Sequence, residues 1–176
     1  MTEKTSFYAD ALHRQFCSAL MMLGDVIDKM PEELWEKPMW KVHDRNQVFS
    51  QPWYIIYHTL FFADLYLETT DDNHHPPAPF TLDELDPSGI SPNYVLTKAD
   101  EQSFLTHILA KANRLLPDLT DDKAKQLATF SWGFSLPYYE LVIDNIRHIQ
   151  EHTSQCYMFM GQLQKVDQNW RSGDAL

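Results

Sequence analysis

Four stretches of the chain repeat apolar side chains every three to four residues, the spacing that gives an α-helix one water-avoiding face. The first is expected over about Thr5–Met30. There Leu12, Phe16, Ala19, Leu20, Leu23, Val26, Ile27 and Met30 share a stripe, and Pro31 closes the run. The second is expected over about Gln51–Thr69, with Ser50 as N-cap and Pro52 in the first turn, where its missing N–H is not needed. The third, about Lys98–Leu116, carries Leu105, Ile108, Leu109, Ala112, Leu115 and Leu116 on one face. The fourth, about Pro137–Lys165, takes Ser135 as its expected cap and sets Leu141, Ile149, Cys156 and Phe159 along its stripe. No segment shows the period of two that a half-buried strand requires.

Helices of roughly 20–28 residues, rising ~1.5 Å per residue, predict an all-α fold. The expected architecture is a four-helix bundle of the up-and-down type, with a long crossover loop and extra short helices, as a single domain over residues 1–176. The crossover is the Pro-rich stretch Asp71–Thr97, which holds His74, His75, Pro76, Pro77, Pro79, Pro87 and Pro92. Connections this long are uncommon in compact domains and tend to be functional or mobile.

Composition narrows the function classes. Against 25 acidic residues stand 14 Lys and Arg, a net charge of −11, so nucleic acid and anionic membrane surfaces are not expected partners. Cys17 and Cys156 are the only cysteines, too few for a disulfide scaffold and in keeping with a reducing compartment. The first residues, Met-Thr-Glu-Lys-Thr, lack the apolar run of a secretory signal, and no stretch reaches the ~18 apolar residues of a membrane span. The expected location is cytoplasmic.

The chemistry concentrates in the fourth helix, in Asn145-Ile-Arg-His148-Ile-Gln-Glu-His152. Histidines four apart stack on one helix face, about 5–6 Å apart at Cβ, and can share one metal ion at ~2.0–2.1 Å each. With 8 His in the chain, chance alone supplies roughly 0.36 such pairs, so spacing by itself is weak evidence. Position adds weight: the pair lies beside Leu141, Asn145 and Phe159, on the side a bundle turns inward. Buried imidazoles need partners, and a metal ion satisfies both. Asp144, one turn earlier, is expected to support His148 from behind. A third ligand must come from another helix. His58 is the best placed, in the apolar run Trp53-Tyr54-Ile55-Ile56-Tyr57-His58. Read alone it is better explained as a core histidine bonded to a Tyr hydroxyl or a carbonyl. His13, His43 and His107 read as structural or surface residues, and His74 and His75 as solvated loop residues.

The run ending His58-Thr-Leu-Phe-Phe-Ala-Asp64, together with Tyr139-Glu-Leu-Val-Ile-Asp-Asn-Ile-Arg-His148-Ile-Gln-Glu-His152-Thr-Ser-Gln155, resembles the corresponding helices of the DinB/YfiT-like superfamily. The specific motifs cover about 53–64 and 132–162; elsewhere only length and helix order agree. The resemblance implies a four-helix bundle, frequently a homodimer. It also implies one divalent metal ion held by His58, His148 and His152, with zinc or nickel ahead of manganese or iron. Some members of that superfamily are transferases or isomerases that use low-molecular-weight thiols.

Three imidazoles leave a coordination position open and leave the ion its full charge, which acidifies a bound water or thiol. Two chemistries follow: hydrolysis, or transfer of an activated small-molecule thiol to an electrophile substrate. The second is preferred. No glutamate accompanies the pair as in HExxH, and Glu151 projects about 100° away from His152. Two other classes remain: a non-catalytic metal-binding or ligand-binding module, such as a stress-response accessory protein, and a helical interaction protein whose histidines are only structural. Tyr54 and Tyr57 flank His58 and are the nearest hydroxyls in sequence; Cys17 and Cys156 read as small core residues.

Overall fold

A computed structural model describes residues 5–43, 46–164 and 166–173. Among them are six α-helices: α1 (Ala9–Lys29), α2 (Glu32–Trp35), α3 (Pro52–Leu65), α4 (Lys98–Leu115), α5 (Asp121–Lys125) and α6 (Tyr138–Leu163). The protein is mostly helical. One small element departs from the sequence expectation: β1 (Leu127–Thr129) and β2 (Ser135–Pro137) pair antiparallel, with Ala128 opposite Leu136. Three residues per strand are too few to display alternation. The turn between them uses Gly133 at φ +84°, a backbone conformation that L side chains rarely adopt.

The helix ends also moved. Ser135 belongs to β2, so Pro137 precedes α6 as its cap residue with no side-chain hydrogen bond. Gln51, not Ser50, caps α3; the Ser50 hydroxyl donates to the Gln47 carbonyl instead. By contrast α4 opens on a reciprocal capping box, with Thr97 accepting from the Asp100 N–H and Asp100 accepting from the Thr97 N–H.

Each long helix packs against two others. α1 lies on α4 and α6, and α3 lies on α4 and α6. Gln102 reaches Asp28 near one end of the α1–α4 pair and His13 meets Asn113 near the other, so these helices are antiparallel. The Lys111 ammonium binds Asp64 close to the last turns of both α3 and α4, so these two run the same way. The up-and-down order expected from the sequence therefore does not hold between α3 and α4: a parallel pair cannot be joined by a tight turn, and residues 66–97 are the return path. α3 and α6 are antiparallel: His58 faces His148 while Ala63 accepts from Asn145.

α3 explains itself by composition. It is apolar around nearly its whole circumference, the mark of a helix buried on all sides. Trp53, Ile56, Tyr57, Leu60, Phe61, Ala63 and Leu65 are all essentially inaccessible. Each large side chain so buried contributes about 1.5–3 kcal/mol of transfer free energy. His58 is one of the few half-buried positions on this helix.

The Pro-rich segment is anchored at several points. Phe80 stacks on Phe104 at 4.2 Å, the Leu96 carbonyl accepts from the Trp35 indole at 2.8 Å, and His74 is buried. His74 was expected to be solvated. It is instead enclosed by the Asp64 and Glu68 carboxylates, at 3.8 and 3.5 Å, which Lys111 bridges. Burial pushes the Glu68 carboxyl up, but the adjacent His74 and the hydrogen bond from Lys111 outweigh it and hold Glu68 below its ordinary value. His75, the neighbour, is exposed as expected.

Candidate metal centre

α3 and α6 bring His58, His148 and His152 together, so that one ring nitrogen from each lies within 4.8 Å of the other two. Ring centroids are 5.1 Å apart for His58 and His148, 5.2 Å for His58 and His152, and 4.6 Å for His148 and His152. The i,i+4 pair supplies one edge of the cluster, and the antiparallel packing of α3 supplies the third corner. Three histidines so arranged could hold one metal ion.

Hydrogen bonds on the far side of two rings set the tautomers. His58 Nδ1 lies 2.7 Å from Glu84 Oε2, and His152 Nδ1 lies 2.8 Å from Gln155 Oε1. A carboxylate and an amide oxygen only accept, so both Nδ1 atoms carry the proton and both Nε2 atoms present lone pairs. His148 Nε2 sits 3.2 Å from His58 Nε2. Two nitrogens bound at ~2.05 Å to a tetrahedral ion would stand ~3.3 Å apart, so this edge already has the span of a metal site. His148 Nδ1 is buried without a hydrogen-bond partner among the described residues.

His148 and His152 are electrostatically prepared to be ligands. Burial, reinforced by the neighbouring His152 and His58, pushes His148 down to about 3. Burial also lowers His152, opposed by its hydrogen bond to Gln155. A neutral imidazole is the form that ligates.

Asp144 does not support His148. Its carboxylate accepts from Arg147 at 3.1 Å, three residues along the same surface of α6. The residues that do support the cluster, Glu84 and Gln155, were not foreseen. Gln155 is three positions after His152 and so on the same helix face, a signal present in the spacing. Glu84 comes from a 3₁₀ turn, Asp83–Leu85, inside the Pro-rich segment, where no periodicity marks it. It accepts from the Tyr54 hydroxyl as well as from His58. Tyr57, the other flanking tyrosine, points its hydroxyl at the Thr81 carbonyl, 3.4 Å away, and not at the histidines. Both cysteines are buried in the core, and burial raises Cys17 to about 11 and Cys156 to about 12, so neither is a nucleophile.

A cavity of about 300 Å³ opens in front of His58 and His152. Phe49, Tyr54, Ile55 and Ile90 form its apolar walls, and Asp83 and Glu84 its polar ones. Behind the cluster, Phe62 packs edge-on against His58 at 4.9 Å and against His148 at 5.9 Å, which seals that side. No helix among the described residues is long and apolar enough to cross a membrane. Comparison of the chain with known protein families, with curated proteins and with solved structures found no match in any of the three.

Proposed function

We propose that this protein is a divalent-metal-dependent transferase that activates a small-molecule thiol for attack on an electrophile, with His58, His148 and His152 as the metal ligands. The observation that carries the reading is the convergence of three ring nitrogens beside an open, mainly apolar cavity, two of them fixed as bare lone pairs by Glu84 and Gln155. Zinc or nickel is the preferred ion, with manganese and iron compatible.

A divalent ion at this cluster would supply Lewis acidity, lowering the pKa of a thiol that occupies its open position. The chain's own residues do the rest. Glu84 and Gln155 orient two imidazoles, the Phe62 face keeps water from the back of the cluster, and Phe49, Ile55 and Ile90 receive the apolar part of a substrate. The buried protein thiols are out of play, so the sulfur nucleophile must be exogenous.

The fold proposal accompanies this reading. The closed set of pairings α1–α4–α3–α6 supports a four-helix bundle in which α3 and α4 are parallel and residues 66–97 form the crossover. Membership of the DinB/YfiT-like superfamily, a homodimer and a cytoplasmic location are parts of the same proposal, and they rest on sequence resemblance and composition. Metal analysis should find about one ion per chain. Metal-dependent loss of free thiol should appear against a panel of electrophiles with glutathione, bacillithiol or mycothiol. Ester or amide cleavage without added thiol would replace the transferase with a hydrolase. Bound metal without any turnover would leave a binding module.

A further inference from the structure

The cavity beside the three histidines has a charge pattern that the metal reading does not require. Among its lining residues are two carboxylates, Asp83 and Glu84, and no lysine or arginine. Glu84 is engaged by His58 and Tyr54. Asp83 is half-buried, and its carboxylate makes no hydrogen bond or ion pair among the described residues. An unpaired carboxylate beside apolar walls leaves its charge available to an incoming cation. The whole chain, at −11, offers no compensating positive field.

We infer that this cavity selects a ligand carrying a positive charge, an aliphatic ammonium group, which pairs with Asp83 while the ligand's donor atom takes the open metal position. The inference rests on the metal reading proposed above and adds the ligand class to it. Three neutral imidazoles leave the ion at +2; Glu84, Asp83 and an anionic donor atom bring the site to −1. A single ammonium restores neutrality, and a second carboxylate worsens the imbalance. The apolar walls contributed by Phe49, Ile55 and Ile90 strengthen the discrimination, because screening by water is reduced between them. Dianionic thiols are therefore the poorest candidates and amino-thiols the best.

The test uses the full chain loaded with Co(II), titrated separately with cysteamine, 2-mercaptoethanol and 3-mercaptopropionate. Binding is read from the sulfur-to-cobalt charge-transfer absorbance. The free thiols differ in acidity, so the informative quantity is the ratio of cysteamine to 3-mercaptopropionate affinity in wild type divided by the same ratio in Asp83→Asn. Intrinsic acidity cancels in that quotient. We expect a quotient of about ten, shrinking as salt is raised from 20 to 500 mM, with 2-mercaptoethanol nearly unaffected by the substitution. A quotient near one, with cobalt bound and all three thiols giving charge-transfer bands, overturns the ammonium assignment and leaves the metal reading intact. Failure of the wild-type protein to take up cobalt overturns the metal reading and the assignment together.

Discussion

Glu84 is the residue through which the Pro-rich segment touches the candidate metal centre, and its removal has a calculable effect. Its carboxylate is almost wholly buried, 5% exposed, and accepts from His58 Nδ1 at 2.7 Å and from the Tyr54 hydroxyl. Glu84→Ala removes the acceptor that keeps the His58 proton on Nδ1. The ring is then free to place its proton on Nε2, the atom that faces His148. Loss of such an outer partner typically costs 10–100-fold in metal affinity, which is about 1.4–2.7 kcal/mol. Glu84→Gln should fall at the gentle end of that range. Its amide oxygen can accept from one of the two donors, while its NH₂ group faces the other. The assay is competition for Zn(II) against a chromophoric chelator at pH 7.5, with circular dichroism and apo-protein melting as controls for folding. If Glu84→Ala binds zinc within about twofold of wild type while remaining folded, outer-partner control of His58 is refuted.

His58→Ala, His148→Ala and His152→Ala should each weaken metal binding severely in the same competition, since each removes one of three ligands. His75→Ala, at an exposed position, should leave binding intact. The apo protein should lose stability in acid. His148 is held down to about 3 in the folded chain against an ordinary 6.5, so its contribution is fully present above pH 6.5 and is lost as pH falls from there toward 3. The slope from this residue is at most about 1.4 kcal/mol per pH unit, and His148→Leu should flatten urea-melt stability over pH 6.5 to 4.5. Glu101 behaves in the opposite sense. Fully buried, with neither carboxylate oxygen paired among the described residues, it is raised well above its ordinary value by burial and then by Asp100. Its contribution is therefore present below about pH 4.5 and is lost as pH rises through the raised value. Glu101→Gln should raise urea-melt stability at pH 8 relative to pH 5; an unchanged pH dependence would show that Glu101 does not titrate differently on folding.

The long helices were legible because each must bury a stripe, and a stripe is periodic. The three-histidine cluster was legible for a related reason: His148 and His152 are held four apart by the helix itself, and His58 stands out in a run with almost no polar residue. What escaped was whatever depends on where a loop lands. Glu84 and Asp83 lie in a Pro-rich connection where no periodicity marks them, and they gain a role only when that connection brings them beside α3. His74 looked like a solvated neighbour of His75, yet the carboxylates of Asp64 and Glu68 draw it inside. Asp144 failed for a local reason, since Arg147 on the same surface offers a full positive charge and His148 only a weak dipole. The β1–β2 pair is specified by its turn and not by its strands, each too short to carry a pattern.

The placement of two candidate ligands one helical turn apart has a consequence for how metal should act on folding. His148 and His152 remain four residues apart when the rest of the fold is lost, so the denatured ensemble keeps a chelating pair although it loses His58. Metal therefore binds both states, and the gain in melting temperature should level off with rising metal concentration earlier than the folded-state affinity alone dictates. Bridging those two rings also fixes a turn of α6 in advance, which removes much of the nucleation cost that makes isolated helices marginal. In metal-containing buffer, α6 should be the first helix to gain amide protection on refolding. The late event is then the arrival of α3, which must bring His58 across a span of 90 residues to close the site.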